Sequence, residues 1–452
     1  MSRSDPVALA PRAATELASS LASAGHDLEG RAQEARRLLL TVERPSGAPA
    51  LLEDVARWAH QLAGDLTERI DRVVRLELAS PLVHHNGAVT QRYLDVRGIG
   101  RVDDLLLALV ELGALPACPR LDEVAARGTA LTALSRDVQQ ALAEQAPEAI
   151  GAADGVPFAL RDRANRRLLQ RHITRLGRRG STLGPSQRRL LRDLRGWRDE
   201  PDLQVVKLDV ERGRVVLARG DLDAASHVAV IIPGAGATLD GISRRHGAWM
   251  DHLHATMGQR LTADGADGAA ATVLWLDYDA PSRLVPGAVR RDAATDAARR
   301  LPDFLDGVAA AGPQLVTTIG HSYGSVVLGR SLADHRGRLA ADQLIALGSP
   351  GLGVQLSREL GLRDDQRMLA ATFDEDPIAH AGRRSPMIGD IGRAIHGPDP
   401  RRLQAVETIS LSTHDLVDAD PVERHLQYLD GDSSALRLVG DLAAGSGRRS
   451  PG

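Results

Sequence analysis

Glycines two positions either side of a serine, in Gly320-His321-Ser322-Tyr323-Gly324, form a pattern that can present a nucleophile. A serine on a sharp strand-to-helix turn has its backbone crowded on both sides, so the flanking positions must lack a Cβ. The apolar run Val316-Thr317-Thr318-Ile319 reads as the strand, and the small and β-branched residues from Ser325 onward can open the helix. A hydroxyl is a weak nucleophile at neutral pH. Ser322 would therefore need a base to take its proton, an acid to orient that base, and N–H donors for the oxyanion.

In this setting the order along the chain is serine, acid, histidine. The acid should follow a strand at Met368-to-Phe373, where Asp374-Glu375-Asp376-Pro377 comes next. Asp376 is the choice because Pro377 stiffens the turn that aims it, and Asp374 is the competitor. The base should follow a strand at Gln404-to-Leu411. His414 lies three residues past that strand and His425 fourteen past it, so proximity favours His414, although loop geometry can reverse the preference. The oxyanion donors expected are the N–H of Tyr323 and one N–H from the loop after the 228–232 strand, supplied by Ala235 or Gly236. Two other clusters carry less. His246, Asp251, His252 and His254 spread over different faces of one helix, and Gly234-Ala235-Gly236 lacks both a G-x-G-x-x-G and a P-loop lysine.

The elements that must position these residues begin near residue 203. Leu203-to-Val210 and Arg214-to-Ala218 read as a hairpin around Glu211-Arg212-Gly213, and Val228-to-Ile232 is a short apolar run of the kind buried on both faces. Trp249, Leu253, Met257 and Leu261 mark a helix, and strands follow at 273–276, 314–319, 343–347, 368–373 and 404–411. Alternation of strands and helices implies a mostly parallel sheet. Residues 1–150 read instead as an all-helical domain. Leu17, Leu21, Ala24, Leu28, Ala35 and Leu38, and then Leu52, Val55, Ala59, Leu62, Leu66 and Val73, recur at helical steps, so two long antiparallel helices should bury these stripes on each other. Val124, Leu131, Leu134, Val138 and Leu142 suggest at least one more helix on the same bundle. Between the two regions, residues 151–202 form a basic helical connector with thirteen arginines against two aspartates from Arg161 to Arg198. The catalytic region is expected over 203–443, and the Gly-, Ser- and Arg-rich tail 444–452 reads as disordered.

Composition bounds the function class. A chain of 452 residues has room for two or three domains. The net charge is −3, and Lys207 is the sole lysine among many arginines, which fits codon usage better than a nucleic-acid partner. A lone Cys118 excludes an internal disulfide framework and a cysteine zinc site. No basic-then-apolar leader opens the sequence and no run of apolar residues is long enough to span a membrane, so the default location is cytoplasmic, with non-classical export left open.

An ordered series of segments resembles a family of predicted α/β-hydrolases of unknown function from high-GC bacteria. It comprises Val156-Pro157 with Arg161-Asp162-Arg163-Ala164-Asn165-Arg166, Gly220-Asp221, Ile232-Pro233-Gly234 and Leu276-Asp277-Tyr278-Asp279-Ala280-Pro281. It continues through Gly320-to-Ser325, Gly348-Ser349-Pro350-Gly351, Asp376-Pro377-Ile378, His396-Gly397-Pro398-Asp399-Pro400 and His425-Leu426-Gln427-Tyr428. The resemblance implies an α/β-hydrolase fold over residues 155–443. It also implies that the base is the histidine of a His-Ser-x-Tyr step, which points to His425 over His414, with Leu426 standing where the family favours serine. The helical arm is loosely similar to the helical-hairpin proteins of specialised bacterial secretion, with the departure that Trp58 is not in a W-x-G, and is expected to be a packing module or a docking site for a protein partner. The expectation is thus a Ser322–His425–Asp376 hydrolase of a small acyl ester or thioester, with no metal or organic cofactor required. The rival expectation is a non-catalytic scaffold of the same fold whose arm docks a protein.

Overall fold

A computed structural model describes residues 11–41, 48–78, 127–128, 131–132, 134, 136–266, 268–281, 291–376, 379, 396–411 and 420–446. His414, Val124 and residues 447–452 lie outside the described residues. The chain divides into two compact units, one of residues 1–119 with 134–146 and the other of 120–133 with 147–452.

In the first unit, α1 (Pro11–Thr41) and α2 (Ala48–Leu78) run antiparallel, since Arg36 pairs with Glu53 and Glu29 with His60. The seam between them differs from the expected one. Ala18, Gly25 and Ala32 on α1, and Pro49, Ala56 and Ala63 on α2, are buried at seven-residue steps, with Ala59 beside them. Leu17, Leu38, Val55 and Leu62 are exposed, as is Ala24. Small side chains let the two backbones approach closely, and the leucines are turned to the rim. The expected stripes thus fall only partly on the seam, with Ala59 buried and Leu21, Leu28, Ala35 and Leu52 half-buried along it. The helix α3 (Arg136–Gln145) belongs to the same unit, and its Leu142 and Ala143 are buried.

The second unit opens with α4 (Pro147–Ala152), α5 (Phe158–Gly177) and α6 (Pro185–Asp199). The eight strands are β1 (Leu203–Asp209), β2 (Arg214–Arg219), β3 (His227–Ile232), β4 (Ala270–Leu276), β5 (Leu315–His321), β6 (Gln343–Leu347), β7 (Arg367–Phe373) and β8 (Glu407–Leu411). They form one sheet in the order β1-β2-β4-β3-β5-β6-β7-β8, antiparallel at β1–β2–β4 and parallel from there on. β5 is buried along its whole length, Thr317, Thr318 and His321 included, as a central strand of a sheet covered on both faces must be. The helices α7 (Arg245–Ala263), α8 (Arg291–Ala310), α9 (Tyr323–Asp334), α10 (Pro421–Leu426) and α11 (Ser434–Ala443) follow. Of these, α7 packs with α11, and α8 with α9.

The arginine-rich segment serves the sheet. β1 is an edge strand, whose outward N–H and C=O groups need partners. Arg161 Nε donates to the Val206 carbonyl at 3.1 Å, Asn165 Nδ2 to that of Val205 at 2.9 Å and Arg166 Nη2 to that of Leu203 at 2.5 Å, while Asp162 accepts from the Val205 N–H at 2.7 Å. Four polar residues of one helix, α5, thus close the sheet's edge. Arg161 is fully buried and is balanced by Asp154 at 2.9 Å.

Candidate active site

Ser322 sits between β5 and α9, at the carboxyl edge of the parallel strands where this class of sheet binds ligands. Its N–H still bonds the Leu347 carbonyl of β6 at 2.9 Å, and the chain then turns at once into α9. That turn forces Ser322 to φ 54° and ψ −122°, a conformation costing on the order of 1–3 kcal/mol for a residue with a Cβ. The flanking glycines have a direct steric cause. A Cβ on Gly320 would come within 2.6 Å of Ser325 Cα, and one on Gly324 would overlap the Ile232 carbonyl of β3.

His425 lies on α10, and its imidazole is fully buried. Its Nε2 is 2.7 Å from Ser322 Oγ and its Nδ1 is 2.8 Å from Asp376 Oδ2. A carboxylate can only accept, so Nδ1 carries the proton and Nε2 turns its lone pair to the serine hydroxyl. Asp376 follows β7 and is buried. Burial opposes its ionisation, but hydrogen bonds from His425, from the Ala379 N–H at 3.0 Å and from Tyr428 Oη at 2.8 Å outweigh that, and its pKa falls below the usual carboxylate value. Tyr428 Oη in turn accepts from the Phe373 N–H at 3.0 Å, so the tyrosine ties the carboxylate to the end of β7. Asp374, by contrast, is exposed. The structure brings Ser322, His425 and Asp376 together and leaves Asp374 apart, with His414 outside the described residues.

α10 is short and is held from several sides. Asp420 caps its first N–H groups and Pro421 starts it. Arg245 pairs with Glu423 at 2.6 Å, and Trp249 Nε1 donates to Asp430 at 2.7 Å. His321, the residue before the serine, donates from Nε2 to the His425 carbonyl at 2.8 Å. This last contact was not foreseen, because nothing in the sequence links the two positions.

His321 is a buried imidazole whose pKa is lowered to about 3, first by burial and then by the nearby His425. The unfolded chain takes up this proton near pH 6.5 while the folded chain refuses it, so stability falls as pH drops from about 6.5 towards about 3. The expected slope is about 1.4 kcal/mol of unfolding free energy per pH unit. Denaturant titrations of wild type and His321→Asn at pH values between about 6 and 4 check it. The variant should lose one proton's worth of that slope, and equal slopes would mean that His321 is protonated in the fold.

The loop after β3 lies against the serine, where a Cβ on Gly234 would meet Ser322 Cβ at 2.7 Å. Two bonds from the segment after β4 set this loop. Tyr278 Oη donates to the Pro233 carbonyl at 2.5 Å, and the Gly236 N–H donates to the Pro281 carbonyl at 2.7 Å. The second bond engages the N–H of Gly236, one of the two residues from which a donor is expected. Tyr323 is the first residue of α9, directly after the serine. Gly348-Ser349-Pro350-Gly351 is tied to the start of α9 through Ser325 Oγ to Ser349 Oγ at 2.6 Å, and the His396 carbonyl accepts from the Gly353 N–H at 2.7 Å. These segments frame the site without chemistry of their own.

This geometry stands on an eight-stranded sheet whose sequence is similar to that of known proteins. Residues 209–386 match the family model described as alpha/beta hydrolase. This part of the chain has an α/β-hydrolase fold. Two uncharacterized proteins from strains of Mycobacterium tuberculosis are 27% identical to this chain over 263 residues, which is 52% of this chain and 38% of theirs. The chain thus spans well under half the length of the curated relatives it matches. Among solved structures, a hyperthermophilic esterase from the archaeon Pyrobaculum calidifontis is similar at 14% identity and a TM-score of 0.33, covering 62% of this chain and 95% of that one. The esterase LipW from Mycobacterium marinum is similar at 12% identity and a TM-score of 0.31, covering 62% and 90%. Among the described residues no helix is long and apolar enough to cross a membrane.

Proposed function

We propose that the chain is a serine hydrolase of a small acyl ester or thioester. The observation that carries this reading is the unbroken line Ser322 Oγ to His425 Nε2 at 2.7 Å and His425 Nδ1 to Asp376 at 2.8 Å, anchored on a serine in a strained turn. Ser322 Oγ attacks the acyl carbonyl as His425 Nε2 takes its proton, and Asp376 stabilises the imidazolium that forms. The N–H groups of Tyr323 and Ala235 receive the oxyanion. Collapse of the tetrahedral intermediate passes the proton from His425 to the leaving alcohol or thiol and leaves an acyl-serine. Water then attacks that ester with His425 again as base, releasing the carboxylic acid and restoring Ser322.

An ester or thioester is preferred to an amide by analogy of fold. Turnover by the full chain of p-nitrophenyl esters and acyl thioesters of graded chain length tests the reading. Hydrolysis of any of them, with a preferred acyl length, is the expected result. A folded chain that turns over none would favour the scaffold alternative, in which the fold is kept and the helical arm docks a protein.

A further inference from the structure

One convergence of side chains, in the helical unit, plays no part in the proposed reaction. His26 and Glu29 stand one turn apart on α1, and His60 faces them from α2. His60 Nε2 lies 3.4 Å from Glu29 Oε1, and the rings of His26 and His60 meet edge-on with centroids 5.2 Å apart. One ligand atom from each residue lies within 4.8 Å of the other two, a grouping found once among the described residues.

The seam between the helices explains why they converge. In the series Ala18, Gly25, Ala32 the middle position drops to glycine, and a Cβ there would come within 2.7 Å of the His60 ring. The imidazole fills the space that an alanine would close. It therefore lies across α1 at Gly25, between His26 on the next residue and Glu29 one turn on. The side chains of His60 and Glu29 keep 31% and 46% of their exposure, so an ion has access and can retain water.

Two imidazoles and one carboxylate are the donor set of a borderline ion such as Zn²⁺, whereas Mg²⁺ and Ca²⁺ prefer all-oxygen shells. Donors about 2.1 Å from a tetrahedral ion stand about 3.4 Å apart, which is the His60–Glu29 separation. His26, on the exposed face, has only to swing inward. We propose that His26, Glu29 and His60 bind a zinc-type divalent ion that ties α1 to α2. Alanines and a glycine bury little apolar surface along this seam, so a cross-link there stabilises the hairpin where packing is thin.

The test uses the full chain, stripped with a chelator and titrated calorimetrically with Zn²⁺ in excess Mg²⁺. The expected result is one Zn²⁺ per chain and a zinc-dependent rise in helix melting temperature by circular dichroism. His26→Ala and Glu29→Gln alter exposed positions and leave the seam intact, and each should weaken binding by more than the ~10–100-fold that loss of an outer-shell partner costs. Each should also abolish the melting shift. Zinc binding that is absent, that Mg²⁺ displaces, or that both variants retain unchanged would overturn the proposal. The outcome is independent of whether Ser322 is a nucleophile.

Discussion

Replacing His425 with glutamine is expected to lower kcat on the best ester by on the order of 10⁶-fold, the effect seen when one member of such a unit is removed. Glutamine keeps bulk and polarity where the imidazole stood, 2.7 Å from Ser322 Oγ, but it cannot take the proton that makes the hydroxyl nucleophilic. His414→Gln should change kcat little. It is the comparison that matters, because His414 is nearer to β8 along the chain while His425 is the residue the fold places beside the serine. Steady-state kinetics of the two variants, with circular dichroism to verify folding, decides between them. Loss of turnover in His414→Gln with turnover kept in His425→Gln would reverse the assignment.

Asp376→Asn is expected to cost about 10⁴-fold in kcat with KM nearly unchanged. An amide in that place can present an N–H to His425 Nδ1, which favours the tautomer with the proton on Nε2 and so points a donor, not a lone pair, at Ser322. The carboxylate also accepts from Tyr428 Oη and the Ala379 N–H, so its geometry is fixed from three sides. Asp374→Asn, at an exposed turn residue, should leave kcat within about twofold, as surface changes generally do. Equal losses in both variants would mean that the turn as a whole, and not the Asp376 carboxylate, supports the reaction.

Much of the sheet was legible because strands buried on both faces must be continuous apolar runs, as at Val228-to-Ile232, and the tight turn at Ser322 was legible because a Cβ has no room at Gly320 or Gly324. Other parts were hidden for identifiable reasons. The helix α8 is rich in alanine and contains Pro302, which blunts both the hydropathy signal and the propensity for helix. The stripes of α1 and α2 misled because large apolar residues outrank alanine in burial energy, yet close backbone approach selects the alanines and Gly25. Chain distance could not rank His414 and His425, since α10 returns to the serine only through the contacts of Arg245, Trp249 and His321. The bond from the Gly236 N–H to the Pro281 carbonyl joins segments far apart in sequence, so its engagement was not legible there.

The central claim is that Ser322 is an activated nucleophile. Incubation of the full chain with a fluorophosphonate probe, followed by peptide mass spectrometry, tests it most directly. The account predicts one phosphonylated site, Ser322, and no labelling of Ser322→Ala under the same conditions. Labelling that persists in Ser322→Ala, or a folded wild-type chain that takes no label, would contradict it.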